Sequence, residues 1–235
     1  MTERTNEEPT GPAAGRRALA RRPSNSREET PGGARMVRRL LDAGLLVFAR
    51  RGYLAARVDD ITAAAEVSHG TFYLYFKNKE ALLHRLAREC AEELDTLIVA
   101  LSLLSTSLDE ESLSRWLRDF VRVYQRYGPV VRIWFEAHDP DALMQSMADN
   151  VFEGLMAGLE QLVRHRLPAG ADPAVASLAA VGMLERVSYY LTSHPEVFDE
   201  EAIVAVLYRM FAGLTFPAAG GAASTPGSGG RPVSR

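Results

Sequence analysis

Between Ser68 and Lys79 the chain reads SHGTFYLYFKNK, where imidazole, hydroxyl, phenol and ammonium groups follow one another at helical spacing. These groups suit contact with a nucleic acid. Thr71 offers a hydroxyl and a methyl, the two things that meet a base edge or a thymine methyl. Tyr73 can bring its hydroxyl to a phosphate oxygen, and Gly70 lets its backbone approach another backbone or a phosphate closely. His69 falls in the first turn of a helix that would enter a groove N-terminus first, which places it to reach a base. Lys79, beside the unsatisfied amides that begin the next helix, makes a phosphate clamp.

Three elements must position these groups. Val58 to about Ala65 forms a short helix with Asp59 and Asp60 in its opening turn, where carboxylates face the positive end of the dipole. Its small apolar face is Ile61, Ala64 and Ala65. Ser68 is an N-cap, so a second helix starts at His69. Phe72 and Phe76, four apart, share its core face, and Gly70, Thr71, Tyr73 and Leu74 fall opposite, with Tyr75 on the flank. Lys77-Asn78-Lys79 ends this helix, and Asn78 caps the next. Short helix, tight turn, short helix is the layout of a helix-turn-helix reader. Upstream, Ala34 to Arg51 is an amphipathic helix with Val37, Leu40, Leu41, Gly44, Leu45 and Phe48 on one side and Gly52 as its stop; Tyr53 and Leu54 are expected beneath it.

The string GYLAARVDDITAAAEVSHGTFYLYFKNKEALL resembles the N-terminal domain of the TetR/AcrR family of one-component transcriptional regulators, over roughly Ala34 to Leu86. The resemblance implies base-proximal contacts from His69, Gly70, Thr71 and Tyr75, and phosphate contacts from Tyr73 and Lys79. Arg57, Ser68, Leu74 and Lys77 complete the predicted DNA-facing set. Arg57 stands where the family commonly has a capping Thr, which removes a cap and adds a cation near the backbone. Glu66 stands where a turn glycine is usual, which adds strain and a negative charge.

Charge is divided along the chain. Residues 34–85 hold nine Lys/Arg against five Asp/Glu, a net +4, and residues 86–216 hold ten against twenty, a net −10. An acidic second half repels DNA while the basic first half is drawn to it, which orients the encounter. The single cysteine, Cys90, permits no internal disulfide and suits a reducing cytoplasm. No run approaches the roughly 18 to 20 apolar residues that span a bilayer, so no membrane partner is expected. Residues 1–33 are poor in apolar groups and read as a disordered arm, basic through Arg16, Arg17, Arg21, Arg22 and Arg27; residues 217–235 read as a disordered Gly, Ala, Ser and Pro-rich tail.

The expected fold is all-α: a three-helix reader over residues 34–86 and a helical ligand-binding and dimerisation domain over 87–216, about nine helices in all. A long helix from Asn78 to about Leu104 links the two. Helices follow over Glu110–Tyr127 and Val130–Ala137, separated by Gly128-Pro129, then over Asp141–Leu167, Pro173–Leu191 and Glu201–Leu214. The bulky side chains Trp116, Phe120, Tyr124, Trp134, Phe135, Met147, Phe152 and Met156 suit the lining of a cavity for a small apolar or aromatic effector, as the resemblance also implies, although ordinary core explains each singly. The last two helices are apolar most of the way round and need cover on nearly every side. Leu178, Val181, Leu184, Val187, Tyr190, Val204, Leu207 and Phe211 are therefore expected to form a four-helix interface with a second copy, a homodimer that would present two readers to a palindromic double-stranded operator.

An enzyme fares badly as an alternative. There is no phosphate-cradling glycine loop, cysteine pair or His-Glu-x-x-His, and the histidines are scattered at 69, 84, 138, 165 and 194. Glu136, His138, Asp139 and Asp141 lie at a helix break and read as caps and solvated groups, so no metal and no cofactor is expected. A sequence-independent DNA-packaging dimer is the remaining alternative.

Overall fold

Thr30 caps the first helix: its hydroxyl accepts from Gly33 N at 3.0 Å, and Pro31 takes the first helical position, where a missing N–H costs nothing. The computed structural model describes residues 30–106, 109–136, 141–164, 166–167, 170–194 and 196–215. These contain eight helices and no strand: α1 (Pro31–Arg51), α2 (Val58–Ala64), α3 (His69–Tyr75), α4 (Lys79–Thr106), α5 (Glu110–Glu136), α6 (Ala142–Val163), α7 (Pro173–Ser193) and α8 (Glu200–Thr215). The arm before residue 30 and the tail from 216 lie outside the described residues.

Local chemistry sets most boundaries. Gly52 ends α1 at φ 73 with its N–H on Phe48 O, and Asn78 Oδ1 accepts from Ala81 N at the head of α4. Asp141, Asp172 and Asp199 accept from the first-turn amides of α6, α7 and α8. Tyr53 packs edge-on against Phe48 under α1, but Leu54 is 93% exposed, so only the first of that pair is beneath the helix.

Residues 110–136 form one helix where a break at Gly128-Pro129 was expected. Pro129 forgoes one helical hydrogen bond and crowds the preceding turn, a cost of about 3 kcal/mol. The apolar stripe nevertheless continues in register through it, burying Tyr127, Val130, Val131 and Trp134. Each such side chain contributes roughly 1.5–3 kcal/mol on burial, so the stripe outweighs the proline.

The long helix α4 is the shared wall. Its first turns bury Leu82, Leu83 and Leu86, with Leu82 seated against Gly44 of α1, and its remainder packs against α5 and α6 through Cys90, Leu94, Leu97 and Leu101. Cys90 is fully buried, and burial, with the charge of Glu93 second, pushes its thiol up, so it is a small apolar filler. α6 approaches α4 at two glycines: a Cβ on Gly154 would meet Ile98 Cδ1 at 2.8 Å, and one on Gly158 would meet Leu101 Cδ2 at 2.7 Å.

Candidate nucleic-acid interface

The reader helix α3 is held by its own sequence. Ser68 Oγ accepts from Thr71 N at 3.1 Å and lies 2.9 Å from Thr71 Oγ1. Phe72, fully buried, and Phe76 anchor the inner face. This rotation leaves Ser68, His69, Gly70, Tyr73, Leu74 and Lys77 exposed, with Thr71 half-buried and Tyr75 half-buried against the core. His69 is not wholly free, because its Nε2 lies 2.5 Å from Asp59 Oδ1 on α2.

The two unusual residues are accommodated differently. Arg57 has no acceptor with which to cap α2, but half of the reciprocal cap survives: Asp60 Oδ2 accepts from Arg57 N at 3.0 Å. Its guanidinium is exposed and, like the Lys77 ammonium, forms no ion pair among the described residues. Glu66 adopts φ 50, the left-handed region that a glycine would occupy without strain. Its carboxylate turns back to Arg39 on α1 at 2.8 Å, away from α3.

Lys79 departs from the expected phosphate clamp. Its Nζ donates to Tyr53 O at 2.7 Å and Ala56 O at 2.8 Å, with Leu54 O at 3.4 Å, and stands over the Tyr53 ring. Burial lowers its pKa. The three carbonyls belong to the loop between α1 and α2. Lys79 is thus a latch on that loop, and the anion-facing feature left at the head of α4 is its backbone amides.

A family model described as bacterial regulatory proteins, tetR family, matches residues 40–86, the segment just described. Over these residues the chain is similar to the TetR family. It is 39% identical over 74 residues to the HTH-type transcriptional repressor DhaR of Mycobacterium sp. (strain GP1), and 46% identical over 50 residues to the fatty acid metabolism regulator protein of Bacillus subtilis (strain 168). These matches cover 32% and 21% of this chain and only 34% and 26% of the relatives' own length. At the level of fold it resembles the crystal structure of the transcriptional regulator FadR from Bacillus subtilis in complex with stearoyl-CoA, with a TM-score of 0.54 at 19% identity, over 76% of this chain and 97% of that one.

The second half, beyond the matched segment, differs from the expected residue sets in two ways. Of the side chains expected around a cavity, Trp116, Phe120, Tyr124, Trp134 and Met147 are buried and Met156 is half-buried, but Phe152 is 40% exposed on the outer face of α6, because Val151 and Leu155 take the inward positions. The Phe135 side chain lies outside the described residues. Trp116, Phe120 and Tyr124 follow one another at 5.6 and 6.0 Å along α5, and Trp116 Nε1 donates to Leu97 O. An open cleft of about 650 Å³ between α5, α7 and the head of α8 is lined by Gln125, Leu191, Thr192, Val197, Phe198 and Glu200, none of them in the expected set.

The second departure concerns α7 and α8. Val181, Leu184, Val204, Leu207 and Phe211, expected to face a second copy, are buried within the single chain. Nearly uniform apolar helices give no phase by which to choose the inner face, and these five took it against α5 and α6. Leu178 and Tyr190 are exposed and Val187 is half-buried. The apolar surface still uncovered runs through Val175, Leu178 and Tyr190 on α7 and Val206 and Met210 on α8.

Sequence reasoning missed the role of Lys79 and the turning back of Glu66. Both depend on partners remote in the chain that carry no sequence signal at either residue.

Proposed function

We propose that this chain is a homodimeric, ligand-responsive DNA-binding transcriptional regulator, a repressor that releases its operator when a small apolar or aromatic molecule enters the second domain. The observation that carries the reading is α3 itself: its inner face is anchored by Phe72, its head is capped by Ser68, and its outer face presents His69, Gly70, Tyr73 and Leu74 with free cations at Arg57 and Lys77 on either side. A rod so presented enters a major groove, and the flanking cations and the α4 amides meet phosphates.

The outward apolar strips of α7 and α8 support self-association, which supplies two readers for the half-sites of a palindrome. The name of the Mycobacterium relative supports repression, and the acyl-CoA bound in the Bacillus subtilis structure supports an apolar effector. Release follows as a population shift in which the effector favours a reader spacing that no longer matches successive grooves, with coupling of about 1–3 kcal/mol. The cytoplasm is where such a protein meets its operator. Among the described residues no helix is long and apolar enough to cross a membrane.

Footprinting on promoter fragments from the protein's own genomic neighbourhood tests the reading. The expected result is protection of a discrete site with two half-sites about one helical turn apart, and a loss of base preference in Thr71→Ala and Tyr75→Ala. Uniform protection of every fragment would support a packaging protein, and no protection would end the DNA-binding reading.

A further inference from the structure

The first turn of α4 meets the residue that caps α6. Glu80 and His84 stand one turn apart on α4 and share a face, and Asp141 faces them. His84 Nε2 lies 2.7 Å from Asp141 Oδ2. The other oxygen, Asp141 Oδ1, accepts from Leu143 N at 3.0 Å and Met144 N at 3.1 Å, which fixes the carboxylate and leaves Oδ2 to point at α4. One ligand atom each from Glu80, His84 and Asp141 lies within 4.8 Å of the others.

Donors bound to one small divalent ion at about 2.0–2.2 Å stand roughly 3–4.3 Å apart. The trio therefore needs only a small rotation of the exposed Glu80 side chain to close. Without a cation, two carboxylates share this corner with a single imidazole. Burial, and after it the charge of Glu80 and Asp141, push the Tyr53 hydroxyl up, so the corner is electronegative. The nearest ammonium, Lys79, is engaged by the carbonyls of Tyr53 and Ala56.

We propose that Glu80, His84 and Asp141 form a binding site for a divalent transition-metal ion of the zinc class, with water completing its coordination, and that the ion fastens the head of α4 to the head of α6. One imidazole with two carboxylates is a donor set for Zn²⁺, Co²⁺ or Mn²⁺. The α6 amides that hold Asp141 Oδ1 are the outer hydrogen bonds that orient such ligands. The same turn of α4 carries the Lys79 latch, so an ion here joins α6 to the loop that leads into α2.

The test uses the full chain, freed of metal by chelation, titrated with Co²⁺ by visible absorption and with Zn²⁺ by calorimetry. One ion per chain is expected, with affinity falling at least about tenfold in each of Glu80→Gln, His84→Gln and Asp141→Asn. The Asn keeps an oxygen for the α6 cap, and Glu80 is exposed, so Glu80→Gln decides the matter even if His84→Gln fails to fold. Zn²⁺ should raise the melting temperature of the parent and not of Glu80→Gln. Absence of saturable binding, or binding indifferent to Glu80→Gln and His84→Gln, overturns the site. DNA binding is not among these readouts, so the site stands or falls apart from the regulatory reading.

Discussion

The Lys79 ammonium stands 4.4 Å from the centroid of the Tyr53 ring and donates to that residue's carbonyl oxygen at 2.7 Å. With Ala56 O also in reach, one side chain closes the α1–α2 loop onto the head of α4. Lys79→Met keeps the aliphatic stem and removes the charge. Charge-assisted hydrogen bonds contribute roughly 1.5–3 kcal/mol each when shielded, and this group is half-exposed, so a total loss of about 1–2 kcal/mol is expected in urea unfolding. DNA affinity should fall with its salt dependence unchanged. A slope flattened by about 0.9 would instead return Lys79 to a phosphate.

Glu66 sets strain against an ion pair. An L-residue in the left-handed region costs about 1–2 kcal/mol, and its pairing with Arg39 is an exposed contact worth about 0–1 kcal/mol. Strain is the larger effect, so Glu66→Gly should raise stability by up to about 1 kcal/mol after the greater chain entropy of glycine is counted. Glu66→Ala retains the strain and loses the pair, and should come out slightly less stable than the parent. Thermal unfolding of the three proteins checks the order Gly, Glu, Ala.

What could be read from the sequence followed how local the deciding physics was. Ser68, Asn78 and Gly52 act on amides or carbonyls within a few residues, and each boundary they mark is where the residue type put it. Phe72 and Phe76, one turn apart, declared the inner face of α3. Pro129 misled because the burial that overrides it comes from other helices. The α7 and α8 residues divided differently because helices apolar most of the way round carry little periodic signal. Lys79 finds backbone carbonyls, which no residue type announces, and His84 meets a carboxylate 57 positions away.

Gly158 holds α6 against α4. A methyl there would lie 2.7 Å from Leu101 Cδ2, and Leu101 is fully buried with nowhere to turn. Gly158→Ala should therefore cost about 1–3 kcal/mol as an overpacked contact. Gly154→Ala presses on the tip of Ile98, which is only partly buried and can rotate, so its cost should be smaller. Denaturant midpoints of the two variants decide it; equal losses would mean that the helices simply slide apart.

Inner and outer faces of the last two helices separate by the effect of a charge. Leu178 is 53% exposed and Val206 55%, whereas Leu184 is wholly buried. Leu178→Arg combined with Val206→Arg should give a folded monomer by light scattering with unchanged helical circular dichroism. Leu184→Arg places an unpaired charge in the core and should unfold the chain instead. A double variant that remains dimeric would move the interface elsewhere.

Glu185 carries a pH dependence whose sign is opposite to that of an ion-paired acid. Burial among α5 and α7 side chains raises its carboxyl from 4.5 to about 7, against the smaller lowering effect of Arg186. Between those values the folded chain holds a proton that the unfolded chain has released. Stability on this account is full below about pH 4.5, falls as pH rises through 7 and is flat above. The full shift would correspond to about 3 kcal/mol, and since the group keeps some contact with water a fall of roughly 1–2 kcal/mol is expected. Asp109 and Asp141, whose carboxyls are lowered, act in the opposite sense but below their ordinary value of 3.8, outside this window. Glu185→Gln should remove the slope between pH 5 and 7 and leave the variant more stable than the parent at pH 8. A parent whose urea midpoint is flat from pH 5 to 8, or a variant that keeps the slope, would show that the carboxylate is solvated or paired in the folded chain.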